Sequence, residues 1–125
     1  MAPTLDLSLL PGTFAVCRLE PDAPLPERFW SATRTDDELS VICRDDEVPE
    51  GAAVQPGWRA LQVAGPLDFG LTGVAAALTA PLAAAEISVL PVATYDTDYL
   101  FVREAALARA VAAVRAAGHT VGTDS

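Results

Sequence analysis

Between Ala93 and Val102 the chain reads ATYDTDYLFV, which sets Thr94, Tyr95, Asp96, Thr97, Asp98 and Tyr99 side by side at one bend between apolar segments. Hydroxyls and carboxylates in that pattern suit three chemistries. They can hold a turn through side chain to backbone bonds, ligate a hard cation, or form one wall of a pocket for a small charged molecule. A cation site needs several more oxygen ligands, and no EF-hand glycine or terminal glutamate stands in register, so no metal is expected. Asp98 can instead accept bonds from an ammonium, a charge-assisted interaction of about 1.5–3 kcal/mol. In a two-residue hairpin one aspartate faces outward and the other inward. Asp98 is expected inward and Asp96 outward. A second candidate region is the helix start near Gly70, with Asp68, Phe69 and Gly73 beside it. A helix starting near Gly70 presents unpaired N–H groups and partial positive charge to a ligand carboxylate, and Gly70 and Gly73 allow close approach to the backbone. Two plainer roles compete: Asp68 can N-cap the helix with the same donors, and Phe69 and Tyr95 can be core residues rather than an apolar wall.

Other reactive side chains lack partners for catalysis. His119, the one histidine, has no serine or cysteine motif beside it, and a general base needs a nucleophile and an orienting group within reach. It is expected to be structural or exposed. Cys17 and Cys43 lie in separate apolar segments, with Asp45 and Asp46 disfavouring a thiolate at Cys43, and suit buried free thiols in a reducing cytosol. No catalytic residue and no cofactor is expected. The formal net charge is −9 and all eight basic residues are scattered arginines. Such a surface repels phosphates and anionic lipid heads, so neither nucleic acid nor membrane is an expected partner. No apolar run is long enough to span a bilayer, and the N-terminus MAPTLDLSLLPGTF lacks a basic n-region and a long apolar stretch, so a cytoplasmic protein is expected.

The elements that must position these residues can be read along the chain. In the first half, LDLSLL (5–10) and TFAVCRLE (13–20) read as strands parted by Pro11 and Gly12. PDAPLPERFW (21–30) allows a helical turn around Pro26 to Phe29. FWSATRT and ELSVICRD form a hairpin over Asp36 and Asp37. Residues 45–57, polar and rich in proline and glycine, are the candidate linker. From Trp58 the pattern is clearer. Residues 58–65 are a strand. Leu71, Val74, Leu78 and Leu82 make one helical face, which Pro81 should kink or divide. ISVLPVATY and DYLFVRE are strands, Glu104 to Ala117 a helix with Leu107, Val111 and Val114 on one face, Gly118 its C-cap, and HTVG a last strand. That order is β-α-β-β-α-β, the ferredoxin-like unit. The first half is a reduced version of the same plan. At 125 residues the chain suits one domain or two small ones, with the divide expected at 1–57 and 58–125. Alanine supplies much of the apolar content and buries little area per residue, so part of the stability is expected from a partner chain.

The combination of VAGPLDFGLTGVAAALTAPLAAAEISVLPVATYDTDYLFVRE with an alanine-rich helix and AGHTV resembles an ACT domain. It is similar to the small tandem ACT proteins, the regulatory region of aspartate kinase and the animal cytosolic arginine sensor. The resemblance is close over residues 58–122 and loose before them. It implies an α+β fold of two ferredoxin-like ACT units, the N-terminal one reduced, and a non-catalytic regulatory or sensor protein that binds an amino acid or similar small zwitterionic metabolite. It implies a likeness of Asp68 to Val74, and of Thr94, Tyr95 and Asp98, to the family's ligand walls. The loop carries Leu71 where the arginine sensor has a carboxylate, so arginine itself is not implied. A homodimer is expected, and any regulatory output has to pass through a separate protein partner. A dimeric scaffold with a vestigial ligand loop is the other reading of the same residues.

Overall fold

The structure, a computed structural model, describes residues 4–65 and 73–123. In chain order its main elements are β1 (Asp6–Leu9), β2 (Phe14–Leu19), β3 (Ser31–Arg34), β4 (Leu39–Arg44), β5 (Ala53–Val63), α1 (Val74–Ala84), β6 (Val89–Ala93), β7 (Asp98–Arg103), α2 (Leu107–Ala116) and β8 (Thr120–Thr123). They form two compact units. Gly12–Trp58 is one; the described residues up to Pro11, together with those from Arg59 onward, are the other. The divide anticipated at residues 57 and 58 therefore falls inside β5, and β1 goes with the later unit rather than with β2 to β4.

The earlier unit is a sheet in the order β3-β4-β2-β5. Its hairpin turns over Thr35 to Glu38, where the Thr35 hydroxyl accepts the Asp37 and Glu38 N–H groups, each at 3.2 Å. Ala15, Cys17, Leu39, Val41 and Cys43 form its core. Residues 26–29 are not helical. Among the described residues of this unit the helical element is a 3-10 turn at Asp45–Glu47. The supposed linker is thus partly ordered, and its end is strand. Pro56 and Gly57 sit inside β5 because the register with β2 slips there, from Phe14 opposite Trp58 to Val16 opposite Gln55. Such a bulge tolerates a residue without an N–H and one at a φ of +81°.

The later unit orders its strands β6-β7-β5-β1-β8. A plain βαββαβ unit would place β8 beside β5. Here β1 lies between them, antiparallel to β5 and parallel to β8. Alternation explains why β1 can do this: Leu5 and Leu7 are buried while Asp6 and Ser8 are exposed. Val74, Leu78 and Leu82 of α1 meet Ala110 and Val114 of α2 and the inward residues of the strands in one core. Leu107 and Val111, expected on that face, pack against it half-buried. The chain enters α2 through a 3-10 turn at Glu104–Ala106.

Both helices close with the same pair of bonds. Gly118 N–H reaches Arg115 O at 3.0 Å and His119 N–H reaches Val114 O at 3.1 Å. At the end of α1, Glu86 N–H reaches Ala83 O at 3.0 Å and Ile87 N–H reaches Leu82 O at 2.9 Å. This is the Schellman arrangement, which needs a left-handed residue just past the cap. Gly118 supplies it in α2; in α1 it is Glu86, at φ +58°. Pro81 does not divide α1, which runs through it as one element.

Candidate functional site

The bend at Thr94 to Thr97 joins β6 to β7, with Ala93 opposite Asp98. Its hydroxyls are engaged locally. Thr94 N–H and Thr94 Oγ1 both donate to Thr97 O, at 2.8 and 2.9 Å, and Thr94 Oγ1 accepts the Thr97 N–H at 3.3 Å. Thr97 is only 5% exposed, and its hydroxyl donates to Val63 O at 2.8 Å, tying the bend to β5. Gly65 makes room for this seat. A Cβ there would stand 3.0 Å from Thr97 Cβ and 3.1 Å from Asp96 O. Thr94 therefore builds the bend, and Tyr95, 83% exposed at the tip, is not a core residue.

Asp98 is the exception. Asp96 is exposed, whereas Asp98 is half-buried and lines a cleft of about 240 Å³. Ala75, Leu78 and Thr79 from the first turns of α1 line one side, and Pro91, Val92, Ala93 and Leu100 from the β6–β7 hairpin line the other. The cleft exists because α1 presents Ala75 and Thr79 one turn apart toward Pro91 and Ala93, spaced by two along β6. Bulkier residues at those places would fill it. Leu78 and Leu100, both fully buried, form its floor. Among the described residues no side chain bonds to the Asp98 carboxylate.

The helix does not begin near Gly70. Gly73 occupies its N-cap position at φ +79°, and no side-chain bond caps it. Ala75, in the first turn of α1, lines the cleft. Asp68, Phe69, Gly70, Leu71 and Thr72 lie outside the described residues. Val74 is buried in the core, so only its backbone is at the helix start. Of the expected set, Asp98 lines the cleft, and Gly73 and Val74 stand at the start of α1. Sequence reasoning missed Ala75, Thr79, Pro91 and Ala93; the signal available was small residues at helical spacing facing small residues at strand spacing.

Among the described residues the other titratable side chains do not line this cleft. His119 is 5% exposed and structural; its Nδ1 accepts Leu5 N–H at 3.0 Å and its Nε2 meets Ala77 O at 2.9 Å. Among the described residues no group of three His, Cys, Asp or Glu side chains is placed to hold a metal. In the earlier unit Cys17 and Cys43 are buried free thiols with sulfurs 3.9 Å apart. Burial pushes the Cys43 thiol from 9.0 to about 12, helped by Cys17 and then by the negative Glu47 and Asp45. A thiol raised in the folded state keeps its proton after the unfolded chain has released it. Its contribution is therefore complete below pH 9.0 and is lost as pH rises toward about 12. Urea unfolding at about pH 8 and pH 10.5 should show a drop in stability that Cys43→Ala reduces; an equal drop in both proteins would exclude Cys43 as the cause.

Comparisons with known proteins bear on the family and the fold. A family model described as an ACT domain matches residues 53–116, and a model of an N-terminal domain matches residues 12–51, within the earlier compact unit. A cattle (Bos taurus) protein, the cytosolic arginine sensor for mTORC1 subunit 1, is 32% identical over 88 residues, covering 62% of this chain and 27% of the sensor. The chain thus spans little more than a quarter of that relative. The crystal structure of an Agrobacterium tumefaciens protein superposes with a TM-score of 0.92 at 34% identity, over 99% of this chain and 96% of the other. The aspartate kinase of Clostridium acetobutylicum superposes with a TM-score of 0.69 at 13% identity, over 93% of this chain and 35% of the kinase, which is a likeness of fold. No helix among the described residues is long and apolar enough to cross a membrane.

Proposed function

Because this chain belongs to the ACT domain family, we propose that it is a non-catalytic regulatory module that binds a free amino acid in the cleft between α1 and the β6–β7 hairpin. The observation that carries this is the half-buried Asp98 carboxylate on a cleft that also borders the first turn of α1. A zwitterion suits those two features: its ammonium on Asp98, its carboxylate at the N–H groups of the first turn of α1. Thr94 contributes by holding the bend that places Asp98. Similarity to a cytosolic arginine sensor supports amino-acid sensing in the cytoplasm. Its output would pass through a second copy of the chain or a separate protein, since occupancy is transmitted only where affinity differs between states.

A thermal-shift screen against the twenty amino acids tests this. A bound ligand at a hundredfold excess over its Kd stabilises by about 2.7 kcal/mol, a rise of several degrees. A flat response to all of them leaves the scaffold reading. Asp98→Ala is expected to weaken the responding amino acid about 10- to 150-fold. Its effect on folding should stay within about 0.5 kcal/mol, because the carboxylate is half-exposed. Unchanged affinity would remove Asp98 from the site.

A further inference from the structure

We infer that the amino acid taken by this cleft is one with a short aliphatic side chain, lodged between α1 and β6 with its ammonium on Asp98. This rests on the amino-acid reading above and narrows it. At about 240 Å³ the cleft is smaller than the roughly 300–1,000 Å³ of sites for drug-sized ligands, so nucleotides and conjugated cofactors are too large. Its floor is hydrocarbon, Leu78 and Leu100, and its rims are Ala75, Pro91 and Ala93. Thr79 also lines it, but its hydroxyl proton is donated to Ala75 O at 2.8 Å and is not offered to a ligand. That leaves Asp98 as the charged group lining the cleft among the described residues.

The chemistry of that lining sorts the candidates. A guanidinium carries five N–H donors in a rigid fork, and among the described residues the one carboxylate lining the cleft is already matched to the α-ammonium. A second carboxylate on the ligand would face Asp98 with like charge. An uncharged branched hydrocarbon meets neither obstacle. Each methylene it seats against the floor should tighten binding about fourfold, so leucine should bind about 50-fold tighter than alanine through its three extra carbons.

Isothermal titration of the full chain with alanine, valine, leucine, arginine and aspartate tests this. Affinity is expected to rise from alanine through valine to leucine, with arginine and aspartate below leucine. Ala93→Leu places a side chain in the cleft from an exposed edge position and should abolish the rise along the series while leaving the melting temperature of the free protein unchanged or higher. Ala75→Leu, also at an exposed position, repeats the test from the helix side should the first variant fold poorly. Arginine or aspartate binding more tightly than leucine, or an intact series in a folded cleft-filled variant, overturns the inference while leaving amino-acid binding standing. Absence of binding by all five also overturns the inference, and the amino-acid reading falls with it only if the other fifteen amino acids leave the melting temperature unchanged as well.

Discussion

Replacing His119 with alanine is expected to destabilise the later unit by about 3 kcal/mol, the cost of unpairing two buried main-chain groups at roughly 1–3 kcal/mol each. The reason lies in α1. Pro81 has no N–H, so the carbonyl of Ala77, four residues earlier, loses the helical donor it would otherwise have. His119 fills that gap. Its Nε2 lies 2.9 Å from Ala77 O while its Nδ1 accepts Leu5 N–H at 3.0 Å. The two partners fix the tautomer: the proton is on Nε2 and the lone pair on Nδ1. One ring thus joins the start of β1 to the middle of α1 and explains why the helix runs through a proline. Chemical denaturation of a double-mutant cycle makes the argument specific. Pro81→Ala returns the missing N–H, so in that background His119→Ala should cost about 1 kcal/mol less. Strict additivity of the two substitutions would show that the histidine does not serve the proline's orphaned carbonyl.

A second large effect is expected at Leu78, which is 0% exposed on the inner face of α1. Leu78→Ala should cost about 2–5 kcal/mol in equilibrium unfolding, since the transfer free energy of the lost carbons is joined by the penalty for the space left behind. Leu78 is also the floor of the cleft, so the same truncation deepens it. A ligand larger than leucine should gain relative affinity even as the protein loses stability. Ala76→Ser, at an exposed position of the same helix, should change stability by less than about 0.5 kcal/mol. A cost below about 1 kcal/mol for Leu78→Ala would mean that α1 is not seated on the sheet through this residue.

Much of the later unit was legible because its hydrophobic spacing is regular. Val74, Leu78 and Leu82 repeat every four residues and are buried as a set, and the β-branched runs around Val89 and Val102 became β6 and β7. The difficult regions were those where a tertiary partner overrides a local signal. Pro56 and Gly57 read as linker because the bulge that shelters them is a property of the pairing with β2. Pro81 read as a break because its compensating donor, His119, comes 38 positions later in the chain. The place of β1 between β5 and β8 was not visible at all, since a four-residue alternation such as DLSL fits many sheet positions. At the site, turn chemistry and ligand chemistry call for the same residue types. In the structure Thr94 and Thr97 hold the bend, and Asp98 lines the cleft.

The position of β1 also governs the order in which the molecule can be completed on the ribosome. Gly12–Trp58 can reach its final pairing as soon as it has emerged. Leu5 and Leu7 cannot, because their neighbours are Leu61 to Val63 and then Thr120 to Thr123, and the bond from Leu5 to His119 closes a separation of 114 residues. Leu5 and Leu7 thus stay without part of their shelter until Thr120 to Thr123 have been made.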